Sequence, residues 1–111
     1  MEVIAERGDI WWVALDPTLG SQIRKTRPCV VISVNVLNAR RRTVIVVPLS
    51  SSAKASPPIL IPISCDGRPA VAVSDQIRAV SKERLRSRLG VVTEEEMAAL
   101  EDGLRQIMQL G

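Results

Sequence analysis

Short runs of β-branched residues, separated by turn-forming residues, constrain the fold of this 111-residue chain more than any other feature. The runs Ile10–Leu15, Cys29–Val34 and Thr43–Pro48 are nearly all apolar. Runs of this length and composition indicate buried strands. The chain has no Phe or Tyr, and Trp11 and Trp12 are its two Trp residues. We therefore expect a core built from Val, Ile, Leu and Ala.

Two further strands are predicted in the middle of the chain. The run Ile59–Ser64 contains Pro62, which indicates an edge strand or a bulge. The pair Asp66-Gly67 then predicts a hairpin turn, and the run Ala70–Ser74 supplies the next strand.

The segments around these strands are also informative. Pro28 is expected to end a basic loop and to precede the second strand, because proline is tolerated at the first position of a strand. The segment Asn35–Arg42 predicts a turn or one short helical turn. Thr93 opens the one long helix, with Glu96 completing a capping box. The apolar residues at helical spacing after this capping box are Met97, Leu100, Leu104, Ile107 and Met108.

These elements predict five to seven short strands and one C-terminal helix. A chain of this length is expected to form a single domain over residues 1–111. Short strands joined by short turns favour a mainly β fold, a small barrel or half-barrel, with the helix covering one side of the sheet.

Charge is distributed unevenly along the chain. Residues 1–92 carry fourteen Lys and Arg against seven Asp and Glu, a net +7, whereas residues 93–111 carry one Arg against five acids, a net −4. A basic body with an acidic C-terminal element is consistent with a polyanionic partner, and equally with a solvated basic surface.

Four cations, Lys82, Arg84, Arg86 and Arg88, recur at every second residue. In one extended strand this spacing puts all four on one face, where they could contact a polyanion. A charged edge strand that resists aggregation would have the same pattern.

Cysteine and histidine content excludes several kinds of site. Cys29 and Cys65 are outside any CxxC motif, and their apolar neighbours indicate buried or nearly buried thiols of a reduced, cytoplasmic protein. The absence of His excludes Cys–His catalysis and most zinc sites, so we expect neither a metal nor another cofactor.

No apolar run approaches the ~18 residues of a membrane span, and the acidic N-terminus does not match a secretion signal. We therefore expect no membrane association.

If the polyanion is RNA and the chain cleaves it, internal attack by a 2′-hydroxyl on the adjacent phosphate needs neither His nor metal. That route needs a proton acceptor, a cation for the phosphorane and a donor for the leaving oxygen. Arg27 is the candidate cation, since its guanidinium fits phosphate oxygens bidentately. Ser50 could donate a hydrogen bond, and Asp75 could transfer a proton or orient the nucleophile. Taken singly, each residue also has an ordinary structural interpretation. Arg27 could be a surface arginine, Ser50 a turn residue and Asp75 a strand-end cap.

Four motifs in this order make the chain similar to the MazF/PemK family of toxins, the ribonucleases of bacterial type II toxin–antitoxin pairs. The motifs are RGDIWWVALDPTLGS, TRPCVVIS, VPLSSS and SDQIRAVSKERL. The resemblance covers nearly the whole chain. It implies an SH3-like barrel of the MazF/CcdB/Kid type that forms a homodimer and cuts single-stranded mRNA without metal, leaving a 2′,3′-cyclic phosphate and a 5′-hydroxyl. It also implies an antitoxin whose acidic, flexible segment lies over the RNA groove.

By motif position, the resemblance carries the catalytic roles to Arg27, Ser50 and Asp75. The further candidates for contacting RNA are Arg24, Lys25, Ser51, Gln76, Arg78, Lys82, Arg84 and Arg86. Many relatives have threonine at the position of Ser50, so the hydroxyl is kept without the methyl group that fixes its rotamer. Many also have glutamate at the position of Gln22, and an acid–base role for that glutamate does not transfer.

Two other functions remain open at this point. The same barrel could bind nucleic acid through its basic strand and loop without cleaving it. It could alternatively act on a protein, as a CcdB-like gyrase poison does, through the C-terminal helix. The second alternative leaves Arg27, Ser50 and Asp75 without a use.

Overall fold

The computed structural model describes residues 3–15 and 26–111. Within these residues, seven strands and two α-helices follow one another as β1 (Asp9–Ala14), β2 (Thr26–Val31), α1 (Asn35–Arg40), β3 (Thr43–Ser50), β4 (Leu60–Cys65), β5 (Arg68–Val73), β6 (Arg78–Ser81), β7 (Leu85–Val91) and α2 (Glu94–Met108). Single 3₁₀ turns, Ser74–Gln76 and Lys82–Arg84, lie on either side of β6. The candidates Arg24 and Lys25, together with Gln22, lie outside the described residues.

The strands form one antiparallel sheet in the order β4-β5-β3-β2-β1-β7, with β6 also paired to β3. β3 is the central strand, since β2 lies along one side of it while β5 and β6 share the other. Leu49 near the end of β3 pairs with Ala72 of β5, and Val46 pairs with Arg78 of β6. The curled, mainly β half-barrel with a C-terminal helix confirms the predicted fold class.

Two aliphatic clusters pack on opposite faces of this sheet, because successive residues of a strand point to opposite sides. Val30 and Val47 belong to the cluster that α2 covers with the buried residues Leu100 and Leu104. Val31 belongs to the second cluster, which also contains Trp11 and Cys29. Burying a Leu or Val side chain stabilises the fold by about 1.5–3 kcal/mol. The core is built mainly from these small side chains, as expected for a chain without Phe or Tyr.

The capping box at the start of α2 is present as predicted. Glu96 N–H donates to Thr93 Oγ1 at 3.0 Å, and Thr93 N–H donates to Glu96 Oε1 at 2.9 Å. The other carboxylate oxygen of Glu96 accepts the Ser64 N–H at 2.6 Å, so the cap also ties the helix to β4. The helix ends where Gln109 adopts a left-handed conformation (φ 55°).

Tight packing continues along α2 at Gly103. A Cβ atom at this position would lie 2.7 Å from the Pro58 carbonyl oxygen and 3.0 Å from Ile61 Cδ1. The close approach of the helix to β4 therefore depends on the absence of a side chain.

Several sequence predictions are corrected by the strand boundaries. β2 begins at Thr26, so Pro28 lies inside the strand, opposite Trp12. Pro28 precedes the first pair between β2 and β3, Cys29 with Pro48, and this edge position tolerates proline. β3 extends to Ser50, which therefore ends a strand rather than opening a loop. β6 was not predicted, since Arg78–Ser81 has only four residues.

The prediction of one strand with four cations on one face is wrong. Lys82 and Arg84 belong to the second 3₁₀ turn, and only Arg86 and Arg88 lie in β7. Irregularities in the β1–β7 register further break the alternation. Arg88 Nε instead donates to the buried Asp9 carboxylate at 3.1 Å, which is a structural ion pair across the two strands.

Candidate active site

Arg27 and Ser50 come together through the register of two neighbouring strands. The β2–β3 ladder pairs Cys29 with Pro48 and Val30 with Val47. Arg27 lies two residues before Cys29, and Ser50 lies two residues after Pro48, so both extend beyond the same end of this ladder. Both residues line one groove there. The arginine of the second motif and the serine of the third therefore meet at one end of the sheet.

A groove of about 490 Å³ opens at this point. Its polar lining consists of Arg27, Ser50, Ser51 and the turn residues Asp66 and Arg68. Its apolar lining is supplied by Trp12, Pro28, Leu49, Cys65, Pro69, Ala70 and Leu89. Pairing of β3 with β5, and of β5 with β4, carries the Asp66–Arg68 turn to this edge.

The Arg27 guanidinium is available to a ligand at this groove. Arg27 is half-buried. Within residues 3–15 and 26–111, no carboxylate forms an ion pair with its guanidinium. A cation held on a strand and left without a counter-charge can bind an anion through bidentate hydrogen bonds.

The Ser50 hydroxyl is oriented by its own loop. Ser52 N–H donates to Ser50 Oγ at 3.3 Å, and the two hydroxyl oxygens are also 3.3 Å apart. Because Ser50 Oγ accepts a backbone hydrogen bond, its own proton can be directed into the groove. A threonine side chain is restrained by its methyl group, which serine lacks. At Ser50, the hydrogen bond from Ser52 N–H restrains the hydroxyl instead.

Cys29 lies beneath this end of the sheet. Burial raises the pKa of its thiol to about 12, and the positive charges of Arg78 and Arg27 oppose this effect only in part. The thiol is therefore neutral at physiological pH and donates to the Arg27 carbonyl oxygen at 3.7 Å.

Asp75 is not among the residues that line the groove. It lies exposed on the 3₁₀ turn between β5 and β6, with Gln76 beside it. The neighbouring registers set this turn along the middle of β3, because Ala72 pairs with Leu49 and Arg78 with Val46. These two pairings are three residues apart on β3, so Asp75 lies on a turn between them and not at the end of β3 with Ser50.

The remaining RNA-contact candidates are spread over the molecule. Lys82 lies near the start of β3, since Ser81 pairs with Thr43 at the opposite end from Ser50. Arg84 donates to the Ala14 carbonyl at 3.3 Å, and Arg86 donates to the Glu83 carbonyl at 2.8 Å. The structure thus brings Ser51 to Arg27 and Ser50, and it does not bring Lys82 there.

Three residues of the groove were missed by the sequence analysis: Trp12, Asp66 and Arg68. Trp12 was assigned to a strand and Asp66 to a turn, and both assignments hold. All three residues lie beside Arg27 because of strand pairing across the sheet. The sequence around each of them does not indicate that pairing.

Two further observations bear on the kind of protein. Among the described residues, no group of three or more His, Cys, Asp or Glu side chains is arranged to hold a metal ion. In the same part of the chain, no helix has both the length and the apolar character needed to cross a membrane.

Comparison with known proteins gives the family. The family model for PemK-like, MazF-like toxins of type II toxin–antitoxin systems matches residues 6–108. Endoribonuclease MazF9 of Mycobacterium tuberculosis is 36% identical over 113 residues, covering 94% of this chain and 96% of that protein. The endoribonuclease toxin MazF of Escherichia coli is 32% identical over 95 residues, covering 85% of each chain.

Solved structures agree on the fold. MazF of Deinococcus radiodurans superposes with a TM-score of 0.83 at 20% identity, covering 98% of this chain and 100% of that one. A mycobacterial endoribonuclease in complex with its cognate antitoxin superposes with a TM-score of 0.80 at 22% identity, covering 96% and 97% of the two chains. The chain belongs to the PemK/MazF family of toxins of type II toxin–antitoxin systems. Its enzyme class is that of the curated relatives, the endoribonucleases.

Proposed function

We propose that this chain, acting as one domain over residues 1–111, cleaves single-stranded mRNA by internal attack of a 2′-hydroxyl, without a metal ion. The family supplies the class, an endoribonuclease toxin. The observation that carries the chemistry is that one groove is lined both by Arg27, which forms no ion pair among the described residues, and by the hydroxyl residue Ser50.

Each group has a defined task in the reaction. The 2′-oxygen attacks the phosphorus, a new O–P bond forms, and the bond from phosphorus to the 5′-oxygen breaks. Arg27 stabilises the two negative charges that develop on the nonbridging oxygens, and Ser50 donates a hydrogen bond to one of them. The leaving 5′-oxygen takes a proton from solvent water, so the products are a 2′,3′-cyclic phosphate and a 5′-hydroxyl.

The 2′-hydroxyl proton needs an acceptor, and two carboxylates are candidates. Asp75 is the acid indicated by its motif, but it is displaced along β3 from Ser50. Asp66 is the carboxylate that lines the groove among the described residues. We assign the proton transfer to Asp66 within one chain, and Asp75, with Gln76 and Arg78, to contacts with RNA along β3.

The proposed partners follow from charge and from the relatives. The net +7 of residues 1–92 suits both RNA and an antitoxin with an acidic, flexible segment that covers the groove. One structural neighbour was solved with its cognate antitoxin. We propose the same kind of partner here, a homodimeric toxin and action in the cytoplasm, where mRNA is found.

The decisive experiment uses purified chain, freed of any antitoxin, with one defined RNA in excess chelator. Cleavage with 5′-hydroxyl and cyclic phosphate ends is the expected result. Intact RNA at every protein concentration would contradict the proposal. Salt-sensitive binding without cleavage would instead identify a binding module, and DNA damage in cells without loss of RNA would identify a gyrase poison.

A further inference from the structure

The groove beside Arg27 has an aromatic side chain, Trp12, in its lining. Trp12 is half-buried and belongs to neither hydrophobic cluster. Its neighbour Trp11 is buried in the second cluster, where its indole N–H donates to Asp9 at 3.2 Å. Alternation along β1 therefore sends one tryptophan into the core and the other into the groove.

The surroundings of Trp12 are suited to a flat, partly apolar ligand. Pro28 lies opposite Trp12 in the β1–β2 register. Leu49, Ala70 and Leu89 line the same groove. At about 490 Å³, the space is large enough for a nucleobase and its ribose. Arg68, exposed at the rim, can donate hydrogen bonds to the edge of such a ring.

Chain geometry connects Trp12 to the reacting phosphate. Arg27 precedes Pro28 in β2, and both residues line the groove with Trp12. A phosphate held at Arg27 and Ser50 carries a ribose and a base on each side, so one of these bases lies within reach of Trp12. Aromatic side chains bind the bases of single-stranded nucleic acids by stacking on their faces.

We propose that the groove is a nucleobase subsite, in which the base next to the cleaved phosphate stacks on Trp12 while Arg68 contacts its edge. This inference rests on the proposed function, since the phosphate at Arg27 and Ser50 fixes where the base lies. It assigns part of the sequence preference of cleavage to Trp12 and to the β4–β5 turn.

The first test uses the unaltered protein. A single-stranded oligonucleotide with a 2′-deoxyribose at the mapped cleavage position binds without being cut. It carries 2-aminopurine, whose fluorescence falls on stacking, in place of each flanking base in turn. The proposal expects strong quenching at one flanking position and little at a position several nucleotides away. Equal fluorescence at all positions would overturn it.

The second test is a cycle that combines a protein change with an RNA change. Trp12→Leu should weaken binding of the uncut oligonucleotide about tenfold, and Trp12→Phe should largely retain binding, because phenylalanine also stacks. Removing the base at the quenched position should weaken binding to the unaltered protein by a similar factor and have little further effect on Trp12→Leu. Independent, multiplying effects would overturn the proposal.

Controls separate this inference from the proposed function. Far-UV circular dichroism and thermal unfolding establish that both Trp12 variants fold. If the unaltered chain cleaves RNA and the cycle shows no coupling, the subsite is refuted and the ribonuclease stands. If the unaltered chain neither cuts nor binds RNA, the proposed function itself fails, and the subsite fails with it.

Discussion

Arg27 and Ser50 line the same groove, because each lies two residues beyond the Cys29–Pro48 pair that ends the β2–β3 ladder. The arginine is near the start of β2 and the serine is at the end of β3. The two groups can therefore act on one phosphate from fixed backbone positions. Preorganised donors stabilise the charge that develops on the phosphorane without having to reorient during the reaction.

The first prediction concerns the phosphorane cation. Arg27→Ala should lower single-turnover RNA cleavage by about 10²–10³, the loss typical of one preorganised donor to a developing oxyanion. The matched control is Arg40→Ala, which removes the same charge from an exposed position at the end of α1. We expect Arg40→Ala to alter the cleavage rate less than threefold. A loss below threefold for Arg27→Ala would remove this residue from the mechanism.

The second prediction separates the two carboxylates. If Asp66 accepts the proton, Asp66→Asn should reduce the cleavage rate by about 10²–10⁴ with little change in RNA affinity. Asp75→Asn should act mainly on affinity, because Asp75 lies along β3 and outside the groove. Rates at saturating RNA, together with binding of an uncut oligonucleotide, measure the two effects. The opposite pattern would return the proton transfer to Asp75.

A third prediction follows from the buried thiol. Burial raises the pKa of Cys29 to about 12 from an ordinary value of 9.0, so the unfolded chain releases this proton at lower pH than the folded chain. Cys29 therefore contributes stability that is fully present below pH 9 and is lost as pH rises towards 12. The loss can approach about 1.4 kcal/mol per pH unit.

Denaturant unfolding of the Cys29→Ala variant between pH 8 and 10.5 checks this point. The variant should show a flatter decline of the unfolding free energy with pH than the unaltered chain. Cys65→Ala is the comparison variant: burial also raises the pKa of this partly buried thiol, so Cys65→Ala should flatten the decline less than Cys29→Ala does. Parallel declines for Cys29→Ala and the unaltered chain would contradict the assignment.

The fourth prediction tests the contact of α2 with β4. Alanine favours a helix over glycine by about 1 kcal/mol, yet Gly103→Ala should destabilise the fold by about 1–3 kcal/mol. The reason is the 2.7 Å approach of the added Cβ to the Pro58 carbonyl, a backbone atom that cannot turn aside. Gly90→Ala is the control, because nothing lies within 4 Å of its added Cβ. Urea unfolding of both variants measures the difference, and a stabilised Gly103→Ala would refute the contact.

Local patterns predicted the elements whose signals are local. The capping box at Thr93 and the hairpin turn at Asp66 appear as expected, because each is decided within a few residues. β6 was missed because it is determined by pairing with β3. The run Lys82–Arg88 was assigned to one strand because the sequence does not show its pairing with β1.

The candidate site was predictable in its residue types but not in its assembly. Arg27 and Ser50 were singled out by their motifs, whereas their place in one groove depends on strand pairing that no single motif contains. Trp12 and Arg68 reach the groove through pairings across the sheet, so their sequence neighbourhoods gave no indication of a site.

The central claim is that Arg27 and Ser50 form one catalytic unit, and a double-mutant cycle on the cleavage rate tests it most directly. Arg27→Lys keeps the charge without the bidentate geometry, and Ser50→Ala removes the hydroxyl. Groups that act on one phosphorane are strongly non-additive, so the double variant should be little slower than the slower single variant. Rate losses that simply multiply would show that the two residues act independently and would contradict the account.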